Sequence, residues 1–217
     1  MAHGVIAAID SMVAERSLLK HPFYQAWTAG TLPLERLQSY AIRYYPHVAA
    51  FPRYLSAIHS RCADIEARQA ILENLIEEER GGENHPELWL RFAESLGIAR
   101  ERVLEAEPCP AAQNLVGMFT ELAASGGIQR GLAALYAYES QIPAVAAAKI
   151  DGLRRFYGIG GERGLKFFSV HERADVWHAR ADAGLIERYS RGAAEADAAV
   201  AAAGQALDAL WGMLDAV

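Results

Sequence analysis

Residues 168–181 read FSVHERADVWHARA and carry two histidines and one aspartate at helical spacing. His171, Asp175 and His178 lie four and three residues apart, which places them on one face of an α-helix. Imidazole and carboxylate groups bind divalent transition metals. The same spacing also arises by chance, and histidines on a polar helix face usually contact solvent. The stretch therefore predicts a helix and allows a metal site, which would need ligands from other parts of the chain.

The rest of the chain also has helical periodicity, and strand signals are nearly absent. We predict an all-α bundle of about seven or eight helices, forming a single domain over residues 1–217. The predicted helical segments are 4–19, 22–30, 33–62, 63–80, 85–97, 110–127, 129–158, the segment around 168–181, and the alanine-rich stretch from Gly192.

Prolines mark where these segments should bend or end. Pro46 and Pro52 each remove a backbone hydrogen bond, so the segment 33–62 should kink or split. His85 stands where an N-cap would be, and Pro86 takes the favoured first helical position.

Composition narrows the class of protein. The chain has 217 residues, is 52% hydrophobic and has a net charge of −6, which argues against a nucleic-acid partner. Its two cysteines, Cys62 and Cys109, form neither a disulfide framework nor a CxxC zinc motif. We find no membrane-spanning apolar run and no signal pattern, and we therefore expect a cytoplasmic location without membrane association.

Two other segments offer further metal ligands. Glu78 and His85 are seven residues apart, so they would face the same way on a continuous or gently kinked helix. Glu139 lies among apolar residues, where a carboxylate is costly to bury unless it is paired or bound to metal, and Pro143 should disturb the helix there. Taken alone, Glu139 could equally well form a salt bridge with an arginine. Glu78 could equally well belong to a solvent-exposed acidic run with its neighbours.

Together the three segments supply three carboxylates and three imidazoles. Such a set suits two divalent ions of the iron type, with a carboxylate able to bridge them. The pattern differs from that of ferritin, which repeats Glu-x-x-His on two helices. The candidate ligands are Glu78, His85, Glu139, His171, Asp175 and His178.

The stretches EEERGGENHPELW (77–89), YAYESQIP (136–143) and HERADVWH (171–178) resemble one family over nearly the whole chain. It is the CADD-like branch of the heme-oxygenase-like di-metal oxidases, named for "protein associating with death domains". The resemblance implies a helical bundle that encloses two metals, Fe/Fe or Fe/Mn, held by the six residues. It also implies a homodimer.

The resemblance further implies an oxygen-dependent synthesis of 4-aminobenzoate for folate, in which the protein consumes its own residues. The family pattern places a sacrificial tyrosine at Tyr24 in HPFYQAW (21–27) and an amine-donor lysine at Lys149 in VAAAKID (145–151). Tyr138, beside Glu139, would relay an electron or a hydrogen atom. Dioxygen would be the oxidant, and an external reductant would be needed. We expect Tyr24 and Lys149 to point into the cavity beside the metals.

The residues are chemically suited to these roles. Tyrosine already contains the para-substituted ring of 4-aminobenzoate. Lys149 could give nitrogen only as a neutral amine, and its apolar neighbours would lower its pKa if they bury it. Without the resemblance, the sequence would place Tyr24 equally well in the hydrophobic core or in a pocket wall. It would place Lys149 equally well on the surface at a helix end.

Other functions remain open. A di-iron oxidase of the same fold could act on a diffusible substrate, such as a fatty acid or an amino acid. A thiaminase-like or quinone-cofactor-synthesis-like relative would need no metal. A protein-interaction module would need no metal ligands, so the complete set of six argues against both of these last two.

Overall fold

The computed structural model describes residues 3–217, except for the side chains of His3 and Arg173. Over this range the chain is helical and contains no strand, which confirms the all-α prediction. The α-helices are α1 (His3–Glu15), α2 (Pro22–Thr28), α3 (Leu34–Arg43), α4 (Tyr45–Arg61), α5 (Ile65–Glu79), α6 (His85–Ser95), α7 (Arg100–Leu104), α8 (Pro110–Ala124), α9 (Ile128–Glu139), α10 (Ile142–Phe156), α11 (Glu162–Tyr189) and α12 (Ala193–Asp215), and the 3₁₀ turns are Leu18–Lys20 and Gly81–Glu83.

The described residues thus form twelve α-helices, more than the seven or eight predicted, partly because prolines divide two predicted segments. Pro46 occupies the first turn of α4 and separates α4 from α3. Pro143 occupies the first turn of α10 and separates it from α9 directly after Glu139. Proline is tolerated in a first turn, where its missing N–H needs no partner. Pro52, by contrast, stays inside α4 and does not split it.

Helix α9 occupies the interior. Ten of its twelve residues are buried, so it is apolar around most of its circumference and packs on α4, α8, α11 and α12. Alanines of α12, among them Ala199, Ala203 and Ala206, are buried, and such small side chains allow close helix approach. This packing leaves Glu139, the last residue of α9, inside the molecule and beside α11.

Gly152 allows α10 to approach Trp27 of α2. A Cβ atom at position 152 would lie 2.4 Å from Trp27 Cδ1 and 2.5 Å from Trp27 Nε1. We expect Gly152→Ala to lower the free energy of unfolding by about 1–3 kcal/mol, because it overpacks this contact. Gly117 is exposed in α8 with open space around it, so Gly117→Ala should raise that free energy by about 0.4–1 kcal/mol. Urea unfolding measures both, and equal stability of the two variants would contradict the packing argument.

None of the helices described over residues 3–217 combines the length and the apolar character needed to cross a membrane.

Candidate dinuclear metal centre

The structure brings the six predicted ligands together from four helices. Glu78 comes from the end of α5, His85 from the start of α6, and Glu139 from the end of α9, whereas the other three lie on α11. All six side chains are buried, including the two α11 histidines, which excludes a solvent-facing position for His171 and His178. They form two groups: Glu78, His85 and His171, and Glu139, Asp175 and His178.

In each group, one possible ligand atom from every residue lies within 4.8 Å of the others. In the first group, Glu78 Oε1 is 2.8 Å from His85 Nδ1 and 3.9 Å from His171 Nε2. In the second, His178 Nδ1 is 3.5 Å from Asp175 Oδ1 and 3.8 Å from Glu139 Oε1. Each group therefore combines carboxylate and imidazole donors at the separations that ligands of one ion have.

Glu78 and His85 meet in a different way from the one predicted. The break predicted between the segments 63–80 and 85–97 is present, because α5 ends at Glu79 and Gly81, at φ +79°, redirects the chain, so the two residues do not share a continuous or gently kinked helix. His85 is also not the N-cap of α6. That role belongs to Asn84, whose side chain accepts a hydrogen bond from the backbone N–H of Glu87. The cap starts a new helix at His85, and the turn places its ring against Glu78.

Neighbouring groups orient two of the imidazoles. His171 Nδ1 lies 2.6 Å from the carbonyl oxygen of Phe167, one turn earlier in α11. A proton on Nδ1 donated to that carbonyl leaves the lone pair of Nε2 directed at Glu78. His178 has the opposite arrangement: its Nε2 is 3.3 Å from Glu77 Oε2, which leaves Nδ1 facing Glu139 and Asp175.

The sequence analysis missed two buried residues that contact Glu139. Asn74 Nδ2 donates a 2.8 Å hydrogen bond to Glu139 Oε1. Asp182 lies close to Glu139 and interacts with it electrostatically, and burial raises the pKa of Asp182 to about 7. Both lie four residues from a predicted ligand, Asn74 before Glu78 and Asp182 after His178, so the helical spacing could have found them. Among the described side chains, no arginine forms a salt bridge with Glu139.

The electrostatics of the site fit divalent cations. Burial raises the pKa of Glu139, and it raises the pKa of Asp175 to about 6. Two buried carboxylate oxygens, Glu139 Oε2 and Asp175 Oδ2, accept no hydrogen bond from a donor group among the described residues. Buried carboxylates without cationic partners are costly, and oxygen and imidazole nitrogen are suitable ligands for iron and manganese. The residues present therefore fit two divalent metals.

A small internal cavity lies between the two groups. Its walls are His47, Val48, Phe51, Glu78, Tyr138, Glu139, Phe167, His171 and Asp175. About 10 Å³ is open to the centre of a water-sized molecule, roughly the minimum for one water. Among the described residues, Tyr138 lines this cavity, whereas Tyr24 and Lys149 do not. The expectation that these two residues point toward the metals therefore stays a prediction.

Tyr24 and Lys149 lie together in a cluster of aromatic side chains, the aromatic pocket, formed with Tyr40. Both are buried, so the alternative of a surface lysine is wrong. Lys149 Nζ donates a 2.8 Å hydrogen bond to Tyr40 Oη and lies 5.4 Å from the centre of the Tyr24 ring. Burial lowers the pKa of Lys149 to about 7, which leaves a large neutral fraction at neutral pH.

A line of phenol groups joins this pocket to the cavity. Tyr138, on the cavity wall, interacts electrostatically with the nearby hydroxyl group of Tyr44. The Tyr44 and Tyr40 rings are 5.1 Å apart, and Tyr40 Oη is 3.4 Å from Tyr24 Oη. Burial raises the pKa of all four tyrosines, so each keeps its proton at neutral pH. Tyr24 is thus connected to the candidate metal centre through Tyr40, Tyr44 and Tyr138.

The pKa of Lys149 predicts a pH-dependent stability. Because the pKa is about 7 in the folded protein, below the ordinary lysine value of 10.5, the unfolded chain binds more protons between these values. The free energy of unfolding should therefore rise with pH from about 7 to about 10.5 through this group. Lys149→Met should remove that contribution and stabilise the protein most at pH 7 and below.

Chemical denaturation of both proteins across this pH range, in one metal state, measures the difference. Lys20→Met is the control, because Lys20 is largely exposed and donates only to the carbonyl oxygen of Ala14. A pH-independent difference between the wild type and Lys149→Met would contradict a depressed pKa.

Fold and site together define an all-α redox protein with a candidate dinuclear centre. The chain belongs to a heme-oxygenase-like family described as iron-containing redox enzymes, whose model matches residues 38–211.

Individual relatives indicate an activity more specifically than the family does. The chain is 44% identical over 207 residues to the 4-aminobenzoate synthase of Chlamydia muridarum, which covers 95% of this chain and 87% of that protein. It is 43% identical over 218 residues to the 4-aminobenzoate synthase of Nitrosomonas europaea, covering 96% of this chain and 89% of that protein. Its fold matches that of a CADD-like protein of unknown function from Nostoc punctiforme, with a TM-score of 0.80 and 17% identity over 99% of this chain and 96% of the other. The resemblance to the CADD-like branch is confirmed.

Proposed function

We propose that this chain is a 4-aminobenzoate synthase that builds its product from its own Tyr24 and takes the nitrogen from Lys149. The observation that carries the proposal is the joint burial of Tyr24 and Lys149 around Tyr40, near a line of tyrosines that reaches the six candidate metal ligands. The identity to 4-aminobenzoate synthases supports the same reaction.

Two divalent metals, Fe/Fe or Fe/Mn, would be held by the six residues. Glu78, His85 and His171 would bind one ion, and Glu139, Asp175 and His178 the other. When bound, these metals supply the redox chemistry that activates dioxygen, which side chains alone do not provide. Asn74 donates a hydrogen bond to the Glu139 carboxylate, Asp182 lies close to that carboxylate, and Glu77 and the Phe167 carbonyl orient two imidazoles.

Tyr24 would be the source of the aromatic ring. Conversion to 4-aminobenzoate requires cleavage of its Cα–Cβ bond, oxidation of Cβ to a carboxylate and replacement of the phenol oxygen by nitrogen. Tyr24 does not line the cavity, so its oxidation would proceed through Tyr138, Tyr44 and Tyr40. Neighbouring phenols can pass a hydrogen atom or an electron along such a line, which gives Tyr138 the relay role. An external reductant completes the electron balance with dioxygen.

Lys149 would supply the nitrogen as a neutral amine. Its burial, its depressed pKa and its position 5.4 Å from the Tyr24 ring favour this role. The six aromatic rings around Nζ exclude water, so a reactive intermediate on Tyr24 would meet the amine before it met solvent.

Isotope labelling tests this proposal. Protein grown with ¹³C-tyrosine and ¹⁵N-lysine, then loaded with iron or with iron and manganese, is mixed with a reductant and dioxygen in unlabelled buffer. We expect 4-aminobenzoate that carries both labels, at no more than about one molecule per chain. Unlabelled product from an added precursor would show that the reaction does not consume the protein.

One observation favours a second candidate, an oxidase of the same family that acts on a diffusible substrate. A groove of about 860 Å³ between α5 and α11 reaches His178, and Trp177 on its wall is 74% exposed. A small molecule could approach the second metal group through it. The same labelling experiment decides between the two, because this candidate predicts sustained turnover with Tyr24 and Lys149 intact.

The homodimer, the reductant, the cytoplasmic location and the extent of the domain over residues 1–217 stay predictions. The role in folate synthesis, which the resemblance implies, likewise stays a prediction.

A further inference from the structure

One buried histidine belongs to neither metal group. His47, on α4, is 1% exposed and lines the internal cavity together with Glu78, Glu139 and Asp175. The ring of Phe119 packs edge-to-face against it at a centroid distance of 4.9 Å, and that of Tyr138 does so at 5.4 Å. The imidazole is therefore packed in one orientation at the wall of the cavity between the two metal groups.

The two nitrogens of His47 have different surroundings. Nδ1 is 3.4 Å from Tyr54 Oη, whereas Nε2 is buried without a hydrogen-bond partner among the described residues. Burial lowers the pKa of His47 to about 3, so the ring is neutral and carries a single N–H.

Hydrogen-bond satisfaction selects the position of that proton. If the Tyr54 hydroxyl donates to Nδ1, the proton is on Nε2, and only this N–H lacks a partner. In the other tautomer, Nδ1 donates to Tyr54, which leaves both the hydroxyl hydrogen and the Nε2 lone pair unsatisfied. The first arrangement leaves fewer buried groups unpaired, so Nε2 is a donor without an acceptor among the described residues, on a side chain that lines the cavity.

We propose that the Nε2–H group of His47 binds an oxygen atom of the small ligand in this cavity, a water at rest and dioxygen during the reaction. This inference rests on the proposed function, because it takes the cavity between the two metal groups as the place of dioxygen. The size of the cavity agrees, since it holds about one water-sized molecule. A neutral donor at this position stabilises an oxygen ligand without placing another charge beside the carboxylates, as donors in other oxygen-binding pockets do.

Three variants test the role. His47→Leu removes the donor, His47→Gln restores an N–H donor on a side chain of similar reach, and His59→Gln is the matched control at a partly exposed histidine on the same helix. The probe is azide, a small anion that accepts hydrogen bonds, titrated into the oxidised, iron-loaded protein. Iron content per chain is measured for every variant.

We expect His47→Leu to keep its iron and to bind azide about tenfold more weakly, the effect of one lost hydrogen bond. His47→Gln should recover most of the affinity, and His59→Gln should match the wild type. Equal azide affinity in His47→Leu would overturn the inference. So would loss of one iron per chain in that variant, which would make His47 a metal ligand.

A second measurement covers the case in which His47→Leu does not fold. In the ¹⁵N NMR spectrum of the wild-type protein, His47 should be the neutral tautomer with its proton on Nε2, and a proton on Nδ1 would refute the argument. If the wild-type protein binds no iron, the proposed function is wrong. If it binds iron but His47→Leu binds azide as tightly as the wild type, only the role of His47 is wrong.

Discussion

Replacing Tyr24 by phenylalanine is expected to lower the yield of 4-aminobenzoate by at least about 100-fold, because the phenylalanine ring has no para oxygen to be oxidised and exchanged. The fold should persist, since the ring keeps its contacts with Phe23 and Trp27 and loses only a long hydrogen bond to Tyr40. Mass spectrometry of the product and of the peptide that contains position 24 measures the effect.

Tyr189→Phe is the matched control, because its hydroxyl contacts Cys62 and lies outside the aromatic pocket. After the reaction, the wild-type peptide should have lost the aromatic side chain of Tyr24, and Lys149 should have lost its amine. Sustained product formation with both residues chemically intact would rule out the self-consuming reaction and would favour the diffusible substrate.

Glu139→Gln is expected to abolish both the oxidation and the binding of one metal per chain. The amide keeps the shape of the side chain but removes the charge that a divalent ion needs. Without metal, the variant should be more stable than the wild type by about 1–3 kcal/mol. The neutral amide avoids the cost of burying an ionisable carboxyl group beside Asp182. His171→Ala should likewise lose metal and oxidation while it largely keeps its fold, since the core supports a chain of this size.

Metal analysis and thermal unfolding with and without added Fe²⁺ measure this second effect. A metal that binds only the folded state raises the unfolding temperature of the wild type, and this rise should shrink in both variants. His59→Ala serves as the control at a histidine outside the site. Full oxygen-dependent activity in Glu139→Gln and His171→Ala would contradict the dinuclear centre.

Part of this protein could be predicted from local spacing alone. His171, Asp175 and His178 share a helix face because an α-helix repeats every 3.6 residues, and no distant contact is needed to establish it. The all-α class follows in the same way from short-range periodicity. The prolines marked two helix boundaries because a ring at the backbone nitrogen acts on its own turn. Spacing and apolar context also singled out the six candidate ligands, which the fold brings into two buried groups, whereas the roles of Tyr24 and Lys149 come from the resemblance alone.

Only the tertiary structure decided how these pieces meet. Glu78 and His85 approach each other across a broken helix, because Gly81 turns the chain and Asn84 caps the next helix. Asp182 meets Glu139 because α11 packs on α9, and His47 reaches the cavity wall from α4. Tyr24, from α2, meets Tyr40 of α3 and Lys149 of α10 in one aromatic cluster. Such relations depend on how side chains from distant segments fill a shared interior, which the spacing within any one helix does not specify.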